Sequence, residues 1–208
     1  MKYNDYKKIV VNCPESDLPV DCIKKNINST SIPGFFSNKI KLLLVMEAPE
    51  PATLKSGVAF SGKKESKIFT ILKEAGLDKS TEIGFTYLCK CTASGFRNLS
   101  QGWKYCKNHF DNELIVANNP AIMLVGLTVA KIVLPKAVCN YGSTTSDENS
   151  FFYQKVGKDL LLFDRQYFFL PSMDYIFDSS GEISSYGDFY LCISSIKKAA
   201  DLLNISKG

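Results

Sequence analysis

Two carboxylates and a set of cysteines are the side chains of this sequence best spaced to do chemistry. Glu47 follows directly on the apolar run Leu42-Leu43-Leu44-Val45-Met46 and leads into Ala48-Pro49-Glu50. In open α/β sheets the ligand crevice lies outside the carboxyl ends of the strands, so a charge at a strand's end is displayed over it. Glu47 is the first catalytic candidate. Glu-Ala-Pro also suits an ordinary solvated turn, but the continuation favours display: Gly57, Phe60 and Gly62 bracket an aromatic residue in a tight loop that leads into a helix. An aromatic there can stack on a flat ligand. Glu50, three residues on, can assist Glu47, with a solvated turn carboxylate as its plainer reading.

The chain contains seven cysteines, many for a cytosolic protein, where disulfides are rare and metal ligation is the better use of thiols. An odd count argues against simple pairing. Cys13 and Cys22 form an N-terminal pair, and Cys91 and Cys106 flank a loop; Cys89, Cys139 and Cys192 sit in apolar or variable settings. Thiolates suit zinc and iron–sulfur clusters alike, and the wide gap between Cys13 and Cys22 does not separate the two. Buried free cysteine is the competing reading.

These residues need a scaffold, and apolar runs at 40–45, 85–89, 121–125 and 167–170 read as strands. The first and third are continuous enough to be buried on both faces. Between them, Ile68, Ile71, Leu72 and Ala75 recur at helical spacing and stop at Gly76, while Ser100 can cap a helix through Trp103, Cys106, Phe110 and Leu114. Such alternation implies an α/β fold with a central, mainly parallel, four-stranded sheet covered by helices. Residues 151–156 and 160–163 read as a hairpin turning at Gly157-Lys158, and a closing helix spans 191–203. Segments 141–150 and 178–187 read as exposed loops.

With 208 residues, 45% of them hydrophobic and 22% charged, the chain can bury a proper core. A single domain over 1–208 is expected. No apolar run reaches membrane-spanning length and the N-terminus lacks a cleavage signal, so a cytoplasmic protein is expected. The net charge of +4 fits a chain that meets polyanions on one face.

Six short motifs in order resemble those of the uracil-DNA glycosylase superfamily, nearest to its iron–sulfur family 4. They are Met46-Glu47-Ala48-Pro49-Glu50, Ala59-Phe60-Ser61-Gly62, Cys89-Lys90-Cys91, Cys106, Leu124 to Ala130, and Leu170-Pro171-Ser172. The resemblance covers nearly the whole length and implies a three-layer α/β/α sandwich. It implies a structural [4Fe-4S] cluster on Cys13, Cys22, Cys91 and Cys106. It also implies glycosidic-bond cleavage with Glu47 as the catalytic carboxylate, and a base site at Ala48, Phe60, Tyr87, Leu170 and Ser172. Phe60 would stack on a flipped base, Leu170 would press on the duplex as a wedge, and Ser172 would donate to a phosphate.

Lys63, Lys64 and Ser66 open the helix after the Phe60 loop, where N–H groups and positive charge favour phosphate. Arg97 and Asn98, between the two late cysteines, are further candidates for the DNA backbone. His109, the single histidine, reads as a surface residue or one outside the reacting centre.

The departures bear on substrate. Tyr87 stands where the family carries its base-reading Asn, and Leu170 replaces the late His; neither offers the amide or donor by which uracil is read and released. The expectation is a monomeric glycosylase that excises a modified pyrimidine from DNA, such as glucosylated hydroxymethylcytosine in defence against phage. A weak or broad uracil glycosylase and an inactive DNA-binding relative are the competing readings.

Overall fold

The computed structural model describes residues 2–11, 13, 31–91, 95–135, 160–162 and 165–206. Four parallel strands form the centre in the order β2-β1-β3-β5: β1 (Leu42–Met46), β2 (Ile83–Tyr87), β3 (Ala121–Val125) and β5 (Arg165–Leu170). A short strand, β4 (Leu160–Leu162), extends the edge antiparallel to β5. Because β1 and β3 are covered on both faces, alternate residues feed two separate cores. Leu42 and Leu44 pack with Ile68, Ile71 and Leu72 of α3 (Lys67–Glu74) and with Ile193 and Ile196 of the closing helix. Leu43 and Val45 pack with Tyr6 and Val10 of α1 (Tyr3–Val11), Phe110 and Leu114 of α4 (Gly95–Val116), and Val129 and Ala130 of α5 (Leu127–Val133). Helices thus cover both faces, and the sandwich implied by the motifs is the fold. Each fully buried aliphatic side chain of this kind contributes about 1.5–3 kcal/mol.

Several boundaries differ from expectation for local reasons. The stretch after Glu47 is not all loop: Pro51 at the first helical position starts α2 (Pro51–Ser56), and Gly57 ends it at φ +67° with its N–H on the Thr53 carbonyl. The helix expected from Ser100 begins at Gly95, so Arg97 and Asn98 lie in its first turn rather than in a loop. Ser172 and Ser185 accept from the N–H groups of Asp174 and Asp188, starting α6 (Met173–Ile176) and α7 (Tyr186–Leu202). The early start of α7 shortens the loop expected at 178–187. β4 pairs with the strand that follows it; residues 151–159, which held the expected partner arm and turn, and the loop at 141–150 lie outside the described residues. No helix among the described residues is long and apolar enough to cross a membrane.

Behind the strand ends, one buried ion pair ties the elements together. Lys90 Nζ donates to Glu113 Oε2 at 2.6 Å, to the Thr86 hydroxyl at 2.6 Å and to the Tyr87 carbonyl at 2.7 Å. Glu113 also accepts from the Gly34 N–H, the Thr86 hydroxyl and the Tyr6 hydroxyl, which joins α1, β2 and α4. Every oxygen of this carboxylate has a donor, the condition under which a buried charge is tolerable.

Candidate active site

Glu47 follows the carboxyl end of β1, beside β3 in the parallel sheet. The β1–β2 ladder continues past the strands: the Leu88 N–H reaches the Met46 carbonyl at 2.8 Å and the Cys89 N–H the Glu47 carbonyl at 3.0 Å. Its carboxylate is half-buried and accepts from the Thr128 hydroxyl in the first turn of α5. Burial raises its pKa above the ordinary carboxylate range; the Thr128 bond opposes this, the Asp174 charge adds to it, and the Lys64 ammonium draws it back. Gly126 lies beside it. A Cβ there would lie 3.5 Å from Ser172 Cβ and 3.9 Å from Glu47 Oε1, and the residue's φ of +98° suits glycine. A half-buried carboxylate with a hydroxyl fixing its orientation can stabilise a developing positive charge and hold a water molecule.

Glu50 takes no part in that arrangement. Its carboxylate accepts from the backbone N–H groups of Lys64 and Glu65, both at 2.9 Å, and lies against Gly62, where a Cβ would meet Glu50 Cδ at 2.7 Å. Both expected roles, catalytic assistant and solvated turn, give way to a staple between the start of α2 and the turn before α3.

Phe60 is the larger correction. The glycines around it suggest an exposed ring, but the residue is only 4% exposed and its φ is +58°. The Tyr87 ring covers its face, with centroids 4.5 Å apart and planes 10° from parallel, and Phe85 flanks it at 5.3 Å. Tyr87 is held from the other end. Its hydroxyl accepts from the Phe60 N–H at 3.0 Å and donates to Glu65 Oε2 at 2.8 Å, the oxygen that also accepts from the Thr53 hydroxyl at 2.5 Å. Glu65 Oε1 accepts from the Glu50 N–H. Glu65 is 2% exposed, a buried carboxylate that sequence reasoning missed. Its sequence signal is faint: one acid after Lys63-Lys64, at the place where a surface charge is ordinary.

Leu170 is not a wedge. It is the last residue of β5, paired with Val125 and fully buried in the core beside Met173, because its side chain points to a covered face of the sheet. Ser172 lies near the cleft, with its oxygen occupied by the Asp174 N–H at 3.4 Å. Ala48 sits half-buried beside Glu47. Lys63, Lys64 and Ser66 lie in the turn before α3, each with a partner within the chain. Lys63 Nζ donates to the Ser179 carbonyl at 2.8 Å, Lys64 pairs with Asp174, and Ser66 Oγ donates to the Lys63 carbonyl at 2.9 Å. The side chains of Arg97 and Asn98 lie outside what is described. His109 lies within α4.

Among the cysteines, Cys89, which the sequence places in an apolar or variable setting, meets Cys106. Gly102, four residues before Cys106 on α4, leaves room for it: a Cβ there would be 2.7 Å from Cys89 Sγ. A hydrogen bond from Cys89, with the Lys90 N–H and charge, draws the Cys106 pKa down to about 7, while Cys89 is pushed up as the donor. Cys91 is buried two residues beyond Cys89, and Cys13 follows the end of α1, the helix that packs on α4. Cys22 and Cys139 lie outside the described residues. Among the described residues, no three or more His, Cys, Asp or Glu side chains are gathered so as to hold a metal ion.

The match to known proteins falls on this strand-end cleft and the sheet that carries it. No curated protein matches the chain. The family model described as the uracil DNA glycosylase superfamily, whose members are DNA glycosylases, covers residues 33–183. That span runs from the Gly34 loop through Glu47, Tyr87, Thr128 and Ser172, well over half of the sequence, and the chain belongs to the uracil DNA glycosylase superfamily.

Proposed function

We propose that the chain is a DNA glycosylase that flips a modified pyrimidine out of DNA and hydrolyses its N-glycosidic bond, leaving an abasic site. The observation that carries this reading is Glu47, a half-buried carboxylate held by Thr128 at the end of β1 within a superfamily of glycosylases. Breaking the bond builds positive charge on the deoxyribose and negative charge on the departing base. A fixed carboxylate beneath the sugar stabilises the first and orients the attacking water, at no cost of reorganisation during reaction. Tyr87 supports a base other than plain uracil, since its hydroxyl is committed to Phe60 and Glu65. Glucosylated hydroxymethylcytosine, and with it defence against phage, is the candidate.

A structural [4Fe-4S] cluster on Cys13, Cys22, Cys91 and Cys106 belongs to the same proposal. The thiolate tendency of Cys106 and the nearby Lys90 charge fit a donor set of that kind. The cluster would tie the N-terminal segment to α4 and supply no chemistry to the bond being broken.

The test is to incubate the purified protein with single- and double-stranded DNA containing uracil, hydroxymethylcytosine or its glucosylated form, and to score abasic sites. Product from a modified cytosine in excess over uracil is expected; no product from any substrate ends the glycosylase reading. Iron and sulfide in a brown preparation support the cluster, and a colourless protein with stoichiometric zinc refutes it.

The electrostatics of Glu47 give a second check. Its ionised form is the working one, so activity falls as pH drops through its raised pKa. Asp174→Asn removes the like charge that raises this pKa, and the acid limb of kcat/KM should move to lower pH. Lys64→Ala removes the charge that lowers it and should move the limb to higher pH. Shifts of the same sign in both variants would show that another group governs the limb.

A further inference from the structure

We infer that Tyr87, braced by Glu65, selects the base by standing in the stacking position against Phe60. The inference rests on the glycosylase reading of this site. A flipped base is gripped by an aromatic face as well as by contacts at its edge, and Phe60 supplies an aromatic face against Tyr87, the last residue of β2. Tyr87 pairs in register with Met46, the residue before Glu47, so the two rings and the carboxylate share one end of the sheet. A phenol ring and a pyrimidine are both flat six-membered rings, and the phenol here lies 4.5 Å from Phe60 at 10°, the separation and angle a stacked base would take.

The occupant is fastened in place. Tyr87 is fully buried and its hydroxyl is bonded at both lone pair and proton, to the Phe60 N–H and to Glu65. Among the described residues Glu65 pairs with no cation; its donors there are the hydroxyls of Tyr87 and Thr53 and the Glu50 N–H. Freeing the Phe60 face therefore means breaking the stack and stranding part of a buried carboxylate's hydrogen bonding, which costs more than an ordinary rotamer change. An unsubstituted pyrimidine finds no face at Phe60, and an accepted base must be held by contacts that its substituents make elsewhere in the cleft.

The test compares the wild-type protein with Tyr87→Ala and Tyr87→Phe on duplex DNA carrying uracil beside 2-aminopurine. Fluorescence reports base flipping and strand cleavage at abasic sites reports excision. Tyr87→Ala should gain flipping and uracil excision by about tenfold or more, the worth of one base–aromatic stack, while Tyr87→Phe, which keeps the ring, stays near wild type. Thermal melts establish that the variants fold, and Tyr87→Ser serves in place of Tyr87→Ala if that variant does not. Equal flipping by wild type and the small variant, or an equal gain in Tyr87→Phe, overturns the inference. Wild-type excision of a modified cytosine with no uracil gain in the small variant overturns the inference and leaves the glycosylase reading standing. A gain in flipping with no excision of uracil or of a modified cytosine by any protein does the reverse.

Discussion

Replacing Glu47 by Gln should lower abasic-site formation by about 10²–10⁴-fold, the range spanned by the loss of one positioned charge or general base. Gln preserves the volume and can still accept from the Thr128 hydroxyl, so the change removes charge and little else. DNA binding should persist, because the carboxylate acts on the sugar's developing charge rather than on the phosphates. Single-turnover cleavage, with binding measured on the same duplex, separates the two effects. Thr128→Val should fall between wild type and Glu47→Gln, since it loosens the carboxylate without neutralising it. Retention of activity within about threefold in Glu47→Gln, a loss far below that range, would remove Glu47 from the mechanism and leave a binding module as the better description.

Replacing Lys90 by Met should destabilise the fold by about 3–5 kcal/mol, the usual result of removing one partner from a buried ion pair. The cause is what remains: Glu113 is fully buried and would be left without its cation, among three neutral donors. The double change Lys90→Met with Glu113→Gln should recover more than half of the loss, because the Gln oxygen can accept from the Gly34 N–H and the Tyr6 hydroxyl while its amide N–H donates to the Thr86 oxygen, with no charge to bury. Urea unfolding of the three proteins checks this. If the double variant is no better than Lys90→Met alone, the methionine's packing is at fault and the stranded charge is not.

The strands were legible because β1 and β3 are apolar at every position, as burial on both faces requires. Glu47 was legible for the same reason, since a charge is conspicuous where such a run stops. Phe60 was misread because Gly57 and Gly62 describe local backbone freedom, whereas the ring's burial depends on Tyr87, a residue 27 positions away. Leu170 was placed correctly at the end of its strand but given a wedge role by the resemblance; the last residue of a strand still faces the core when the next element, here Met173, closes over it. Glu65 could not be found from its neighbours at all. Its partners Thr53 and Tyr87 come from α2 and β2, and only the folded sheet brings them together. The start of α2 was available in Pro51, whose fixed φ suits the first turn of a helix, but the surrounding small residues pointed to a loop.

The two hydrogen bonds that carry the β1–β2 ladder beyond its strands make residues 87–91 a splint on Glu47. Leu88 and Cys89 hold the carbonyls of Met46 and Glu47, while Lys90 anchors the same five residues to Glu113 beneath. Segments tied in this way open as one cooperative unit rather than fraying residue by residue. The main chain of Glu47 is thus tied through Cys89 to the segment that Lys90 anchors. The carboxylate inherits the rigidity of the buried ion pair, and a disturbance at either cysteine of the segment reaches it through two peptide hydrogen bonds.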